Sequence, residues 1–169
     1  MATTDATTVV ILMGVSGAGK TTIGRLLATQ LGWPFYEGDD FHPQANIDRM
    51  RQGTPLTDQD RDSWLAALQH LIRTLLRTRQ SAVIACSALK QAYRDRLKEH
   101  HQEVIFVYLK ADYDLINRRL RTRTGHFMNA NLLGSQFETL EEPTDAITVH
   151  AAQTPQAIVF QIQQQLQTV

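Results

Sequence analysis

An α/β fold with a parallel sheet is predicted by three features of the sequence. Short apolar runs rich in β-branched residues recur along the chain, and such runs are typical of strands buried on both faces of a sheet. Between them lie segments in which apolar residues recur at the spacing of a helix. Neither a repeat nor a linker-like stretch divides the 169 residues. Alternating strands and helices form right-handed βαβ units, so we expect one domain in which helices cover both faces of a five-stranded parallel sheet.

Each predicted strand rests on an apolar run of its own. The first run, VVILM, is ended by Gly14, and two similar runs, SAVIAC and VIFVYL, follow later in the chain. Cys86 belongs to a run that we expect to be buried, which favours a role as a small apolar side chain over a role as a nucleophile. The predicted strands are residues 9–13, 34–36, 81–86, 104–109 and 146–149.

Three of the segments between the strands carry recognisable helix start signals. Thr57 precedes acidic residues and begins a helix whose apolar positions recur from Trp64 to Leu76, so we expect Trp64 to lie in the core. Asp112 is placed to cap a second helix, and Pro155 opens a third, final helix.

Composition and charge exclude several functional classes. The chain has 17 Lys and Arg against 17 Asp and Glu, with 43% hydrophobic residues and one cysteine. These values are not those of a disordered chain, a globally basic nucleic-acid-binding protein or a disulfide-stabilised domain. Residues 1–8 are small and polar and are expected to form a flexible tail before the domain at 9–169. The sequence has neither a signal-peptide pattern nor a run of about 18 apolar residues, so we expect a cytoplasmic protein with no membrane partner.

The most specific signal is GVSGAGKT at residues 14–21, a complete G-x-x-x-x-G-K-[ST] motif between a predicted strand and helix-forming residues. Glycines let backbone N–H groups turn toward phosphate oxygens, and a helix N-terminus adds partial positive charge. Lys20 is placed to bridge the β- and γ-phosphates, and the Thr21 hydroxyl to ligate Mg²⁺. The motif therefore predicts a nucleoside triphosphate site, whose residues are Gly14, Val15, Ser16, Gly17, Ala18, Gly19, Lys20, Thr21 and Thr22.

Motifs that are absent narrow the class of P-loop protein. GTPases carry N-K-x-D and D-x-x-G, and neither string occurs in this sequence. Motor and transport ATPases usually end a hydrophobic strand in Asp, which holds the metal. Here the corresponding run ends in Cys86 and Ser87. Phosphoryl transfer to a small acceptor is therefore the favoured class.

Acidic residues follow the second predicted strand. Glu37, Asp39 and Asp40 lie there, and the carboxyl ends of parallel strands gather beside the P-loop. A carboxylate in that position can accept the proton of an attacking hydroxyl, or hold Mg²⁺ through water. We favour such a role for Asp39 over one for Glu37 or Asp40, which are also typical turn or capping residues.

A cluster of arginines at residues 118–123 allows three interpretations: a nucleic-acid patch, a solvated helix face, or a lid that closes over the triphosphate. We favour the lid because a P-loop is present. Arg119 and Arg123 are spaced i, i+4 and share one helix face, which suits two contacts to one phosphate chain. Arg118 and Arg121 are expected to be solvated.

Several ordered segments resemble those of the gluconate kinases, a group within the P-loop small-molecule kinases. The similarity runs from about residue 9 to the C-terminus, and beyond the P-loop its segments are GDDFHP (38–43), PLTDQDR-x-x-WL (55–65), ACSALK (85–90), YRD (93–95), GHF (125–127) and QFETLEEP (136–143). The resemblance implies a P-loop kinase fold with a helical lid, and ATP-dependent phosphorylation of D-gluconate at its 6-hydroxyl, with Mg²⁺ carried by ATP. It also implies a homodimer.

Residue roles follow from the same resemblance, position by position. Asp39 matches the general base, and the catalytic set that it implies is Lys20, Asp39 and Arg123. The lid covers roughly residues 118–135, and Arg119 and Arg123 match its ATP-binding arginines. Gln136 lies in a matching motif without an assigned contact. The implied acceptor-binding residues are Asp39, His42, Arg49, Lys90 and Arg94, and Arg49 stands where the group often has lysine, which weakens its assignment.

Two other functions stay open on the sequence alone. The segment FYEGD at residues 35–39 is also similar to the acidic second-strand motif of shikimate kinases, so a shikimate or nucleoside monophosphate kinase is one alternative. His42-Pro43 and the segment 87–90 favour gluconate. The other alternative is a module that binds ATP without transferring a phosphoryl group.

Overall fold

A computed structural model of the protein describes residues 6–122 and 130–169. Its core is a five-stranded sheet in the order β2-β3-β1-β4-β5, and every neighbouring pair of strands is parallel. This confirms the predicted α/β class and the strand number. The strands are β1 Val9–Met13, β2 Phe35–Glu37, β3 Ala82–Ala85, β4 Val104–Lys110 and β5 Ile147–His150, each within one residue or so of its predicted bounds.

Helices connect the strands and cover both faces of the sheet. In the described ranges they are α1 Lys20–Leu31, α2 Gln44–Arg51, α3 Asp58–Arg77, α4 Gln91–Lys98, α5 Tyr113–Thr122, α6 Ala130–Thr139 and α7 Pro155–Leu166, with a 3₁₀ turn at Gly38–Phe41. Thr57 caps α3 in a capping box with Asp60, and Asp112 accepts a hydrogen bond from the amide of Leu115, as the start signals predicted. The short helices α2, α4 and α6 had no such signal.

Burial on both faces explains the continuous apolar run of β1. Val10 and Leu12 pack into the layer that contains α1 and α7, whereas Val9, Ile11 and Met13 pack into the layer that contains α3 and α4. All five side chains are fully buried. Each of these two cores gives one face of the sheet a fixed helical cover, so the carboxyl edge of the sheet is held rigidly.

The N-terminal segment joins the sheet slightly earlier than expected. Thr8, which the tail prediction included, donates its amide hydrogen to Ser81 Oγ at 3.0 Å and accepts one from Ala82 at 3.1 Å. Residues 1–5 of the predicted tail lie outside the described residues. Throughout 6–122 and 130–169, no helix combines the length and the apolar character that crossing a bilayer requires.

Three strand ends meet at one edge and position the site. The P-loop follows β1, the 3₁₀ turn follows β2, and the segment from Cys86 to Leu89 follows β3. The amide of Gly14 donates to the carbonyl of Ser87 at 3.2 Å, which ties the first of these ends to the third. Ligands of open α/β sheets bind at this edge, because the loops converge there.

Candidate active site

The P-loop has the backbone conformation that its glycines permit. Gly14, Gly17 and Gly19 have φ angles of +145°, +85° and +103°, which side-chain-bearing residues rarely adopt. Lys20, the first residue of α1, folds back so that its Nζ donates to the carbonyls of Gly14 and Val15 at 2.9 and 3.0 Å. The lysine ammonium therefore already lies along the loop that would surround a phosphate chain.

Oxygen ligands face the loop from β2. The Thr21 hydroxyl donates a hydrogen bond to Glu37, and Glu37 and Asp39 line one cleft with Gly17, Gly19 and Lys20. Burial raises the pKa of Glu37 above its ordinary value, although the hydrogen bond from Thr21 opposes the shift. A hydroxyl and two carboxylates beside a phosphate site are the hard oxygen ligands that Mg²⁺ takes, so this set fits an ion carried with a triphosphate.

Close backbone packing fixes the direction of Asp39. A Cβ on Gly38 would lie 2.3 Å from the carbonyl oxygen of Ala85, so only glycine lets the end of β2 approach β3 this closely. The carbonyl of Gly38 accepts a hydrogen bond from the indole of Trp64 at 2.8 Å. The 3₁₀ turn that follows is anchored on both sides, and it leaves Asp39 on the edge of the phosphate cleft.

A second cavity adjoins the phosphate cleft, and Ser16, Lys20 and Asp39 line both. Trp64 is 1% exposed, as predicted for a core residue, yet its ring also forms part of this wall. The remaining wall mixes polar and apolar side chains, which is typical of a small-molecule site. In the described chain it is formed by His42, Met50, Pro55, Leu56, Arg61, Trp64, Ser87, Leu89, Leu132, Ser135 and Gln136.

Of the residues predicted to bind the acceptor, His42 and Asp39 line this cavity. The His42 ring stacks on Trp64 with centroids 4.3 Å apart, and its Nδ1 lies 3.2 Å from Asn46 Nδ2. Burial lowers the pKa of His42 below its ordinary value, against the opposing influence of Asp39. The imidazole is therefore neutral near pH 7 and can offer one donor or one acceptor to a polar ligand.

Two of the cations predicted to bind acceptor lie outside this wall. Arg49 pairs with Asp60 at 2.8 Å, and Lys90 pairs with Asp58 at 2.9 Å. Neither side chain is among the described residues that line the cavity. Their predicted contacts with an acceptor stay predictions.

Arg94 is brought to a different place from the one predicted. It is 2% exposed and donates to the carbonyls of Ala88, Leu89 and Glu141 at 2.7, 3.1 and 2.7 Å. Burial lowers the pKa of its guanidinium below the ordinary value. Because Ala88 has a φ of +44°, the loop after β3 needs such support, and Arg94 holds that loop from behind rather than lining the cavity.

Two cavity residues had no assigned contact in the sequence. Arg61 lies in the segment PLTDQDR that carries the family resemblance, but its position in the first turns of α3 is equally typical of a solvated residue. Gln136, in α6, accepts a hydrogen bond through Oε1 from the amide of Ser16 at 2.6 Å. That contact joins α6 to the P-loop at the boundary between the two clefts.

Arg119 reaches the opposite side of the P-loop. Its guanidinium donates to the carbonyls of Gly17 at 3.2 Å and Ala151 at 2.6 Å, and it lines a further cleft with Thr22, Gln153, Pro155 and Ile158. Arg118 and Arg121 are exposed, which confirms the expectation that they are solvated. The other predicted lid arginine, Arg123, lies outside the described residues, as does GHF (125–127).

The burial of Cys86 agrees with the role predicted for it. It is 1% exposed, and burial raises the pKa of its thiol to about 12. The thiolate needed for nucleophilic chemistry is therefore scarce at neutral pH.

This fold and site define a P-loop kinase of the class that phosphorylates small molecules. The family model of shikimate kinase matches residues 16–167. The chain is 44% identical over 153 residues to the thermoresistant gluconokinase of Escherichia coli strain K12, covering 88% of this chain and 87% of that protein. It is 47% identical over 135 residues to the gluconokinase of Gluconobacter oxydans, covering 80% and 76%. The crystal structure of a gluconokinase from Sinorhizobium meliloti superposes with a TM-score of 0.82 at 42% identity, covering 91% and 88%. The chain belongs to the gluconokinase family, within the wider group that the shikimate kinase model describes.

Proposed function

We propose that this protein is a gluconokinase, which transfers the γ-phosphoryl group of ATP to the 6-hydroxyl of D-gluconate. The observation that carries the proposal is the position of Asp39, which lines both the phosphate cleft and the adjoining polar cavity. A carboxylate at that boundary is where an acceptor hydroxyl must meet the phosphoryl donor. The similarity to gluconokinases across most of the chain supports gluconate over the shikimate and nucleotide alternatives.

The P-loop holds the phosphates of ATP in this proposal. Backbone N–H groups of residues 14–21 surround the phosphate chain, and Lys20 moves from the loop carbonyls to the β- and γ-phosphates. Thr21, with Glu37 beside it, would hold Mg²⁺, which offsets negative charge on the phosphate oxygens. Loss of the Thr21 hydroxyl would therefore weaken the ATP complex without touching the core.

Asp39 orients the acceptor and receives its proton. The 6-hydroxyl donates a hydrogen bond to the Asp39 carboxylate, and its proton moves to that carboxylate as the oxygen bonds to phosphorus and the bond to ADP breaks. His42, fixed against Trp64, offers a neutral polar contact to the hydroxyl groups of the acceptor. Trp64 and Leu89 shield the reacting atoms from water, which limits ATP hydrolysis.

The cleft that contains Arg119 accommodates the nucleoside part of ATP in this proposal. It shares Gly17, Gly19 and Thr22 with the phosphate cleft, so a nucleotide whose phosphates lie in one reaches directly into the other. The planar guanidinium is held against the loop carbonyls of Gly17 and Ala151, where it can cover the base and remain near the phosphates.

Replacement of Arg119 by alanine is expected to lower turnover by about 10- to 100-fold and to raise the KM for ATP, because a positively charged contact near the phosphates is lost. The matched control is Arg121→Ala, whose side chain is exposed two residues away. Steady-state kinetics with thermal unfolding checks this. Arg119→Ala should lower turnover more than it lowers the unfolding midpoint, although its hydrogen bonds to Gly17 and Ala151 are lost as well. Equal kinetic losses at both positions would indicate a diffuse basic patch instead.

A coupled ADP-release assay tests the function directly. The purified protein is supplied with MgATP and, separately, D-gluconate, shikimate, a nucleoside monophosphate or no acceptor. We expect kcat/KM for gluconate to exceed that for the other acceptors by at least about 100-fold, because buried polar groups discriminate strongly against acceptors that leave them unpaired. Phosphorus NMR of the product should show a primary phosphate ester. ADP release that does not depend on any acceptor would contradict the proposal.

The place of action and the assembly state are further parts of the proposal. A kinase that consumes ATP and carries a reduced, buried cysteine is suited to the cytoplasm. We also propose the homodimer that the family resemblance implied. Sedimentation analysis at several concentrations checks the assembly state.

A further inference from the structure

We propose that Lys90 is a positioning residue, which holds Asp58 away from Arg61 and so keeps the Arg61 guanidinium available to the acceptor cavity. This role rests on the proposed function, since the acceptor of that reaction would occupy the cavity. Arg61 lines the cavity, whereas neither Lys90 nor Asp58 is among the described lining residues. The observation that carries the proposal is how the carboxylate oxygens of Asp58 are shared among neighbouring donors.

Asp58 and Arg61 are spaced to pair with each other. They lie three residues apart at the start of α3, a spacing at which opposite charges on a helix attract. Asp58 Oδ1 is nevertheless 4.0 Å from Arg61 Nη1, which is too long for a hydrogen bond. Because a small rotation of Asp58 would close this gap, the separation requires a restraint on the carboxylate.

Lys90 and Tyr93 supply that restraint from the start of α4. Lys90 Nζ donates to the two carboxylate oxygens of Asp58 at 2.9 and 3.1 Å, and the Tyr93 hydroxyl donates to Oδ1. Hydrogen bonds from Tyr93 and Lys90 lower the pKa of Asp58 below its ordinary value, so this carboxyl group is ionised at neutral pH. Both of its oxygens are thus engaged by donors that belong to the α4 side of the contact.

Arg61 consequently has a neutral hydrogen-bond partner. Its Nη1 donates to the Tyr93 hydroxyl at 3.1 Å, and its side chain is 16% exposed. A guanidinium has five N–H donors, and within the described chain the hydrogen bond of this one is to Tyr93. The remaining donors can bind oxygen atoms of a molecule in the cavity. A hydrogen bond from Arg61 to Asp58 would occupy donors and cancel the charge.

The alternative role for Lys90 is a direct contact with the acceptor. Lys90→Met distinguishes the two roles, because it removes the ammonium group but keeps an unbranched apolar stem beside the Tyr93 ring, whose centroid lies 5.7 Å from Nζ. The start of α4 is expected to tolerate this change, since within the described residues the Lys90 side chain does not cap that helix.

In Lys90→Met we expect the KM for gluconate to rise by about three- to tenfold, the scale of one partly exposed charged contact. The kcat and the KM for ATP should change by less than about twofold, since Arg61 is not among the described residues of the phosphate cleft. Adding Asp58→Asn to this variant should restore the parental KM, because the competing carboxylate is then gone. If Lys90 instead contacts the acceptor directly, the double variant stays as impaired as Lys90→Met, and that result overturns the proposal.

Arg96→Gln is the matched control. Arg96 pairs with Asp62 at 2.7 Å across the same contact between α3 and α4, and it is not among the described lining residues. Its replacement removes one positive charge and releases one aspartate, as Lys90→Met does, but the KM for gluconate should stay within about twofold of the parental value. An increase as large as that in Lys90→Met would assign the effect to net charge and overturn the proposal.

Crystal structures of the parent and of Lys90→Met test the displacement of Asp58 without reference to turnover. In the variant, a carboxylate oxygen of Asp58 should lie within about 3.2 Å of an Arg61 nitrogen. A separation unchanged from 4.0 Å overturns the proposal, whichever acceptor the enzyme uses. If Lys90→Met does not fold, as judged by thermal unfolding, Lys90→Gln replaces it in both tests. If the parent does not phosphorylate gluconate, the proposed function fails, and the structural comparison still decides the role of Lys90.

Discussion

Lys20→Ala is expected to lower turnover by about 1,000-fold or more, because a cation that offsets charge on the transferred phosphoryl group supplies a large share of the rate enhancement of such enzymes. The fold should be retained. Lys20 lies at the start of α1 and its Nζ donates to carbonyls of its own loop, while the core beneath is formed by apolar residues of α1 such as Ile23 and Leu27.

The measurement is turnover at saturating gluconate and ATP, together with thermal unfolding and ATP binding. Lys98→Ala is a suitable control, because Lys98 lies in the last turn of α4, at the end away from the loop after β3. The control should keep parental turnover. Turnover of Lys20→Ala within about tenfold of the parent would show that this lysine does not stabilise the transferred phosphoryl group.

The sheet was predictable because burial on both faces leaves a simple pattern in the sequence. VVILM forms β1 with side chains in both cores, and all five of these side chains are apolar and buried. The start of α3 could also be predicted from the sequence, since a capping box needs particular residues at particular spacings. By contrast, α2 and α4 are eight residues long and mostly polar, so tertiary packing rather than a periodic apolar face decides that they are helical.

The parts of the site that the backbone forms could be predicted from the sequence. The parts that depend on the direction in which a side chain points could be predicted less well. The P-loop and Asp39 follow from strand ends that meet at one edge of the sheet. Arg94 lies in a segment typical of the family, but a motif gives the position along the chain and not the face of the helix. Its side chain points inward to carbonyls of the loop after β3. Arg61 was unassigned for the same reason, because its contact with Tyr93 spans 32 residues of sequence.

Asp39→Asn is expected to lower turnover by about 10²–10⁴-fold, the range for loss of a general base. The asparagine keeps the size of the side chain and one acceptor oxygen, but it cannot take the proton of the 6-hydroxyl. In a loose transition state the hydroxyl loses its proton late, so part of the effect comes from orientation. Gluconate binding should weaken modestly through the changed hydrogen bond. ATP affinity should change little, because the phosphates are held mainly by residues 14–22.

Comparison with variants of the neighbouring acidic residues tests whether Asp39 in particular is the general base. Asp40→Asn is the control, since Asp40 is exposed and is not among the described residues that line either cleft. Single-turnover kinetics with preformed ATP complex separates chemistry from product release, and the loss in Asp39→Asn should appear in the chemical step. Near-parental turnover in Asp39→Asn would move the base to another acid. Glu37, which faces the phosphate cleft and accepts from Thr21, would be the first to consider, because burial raises its pKa and a carboxylate of higher pKa is a stronger proton acceptor.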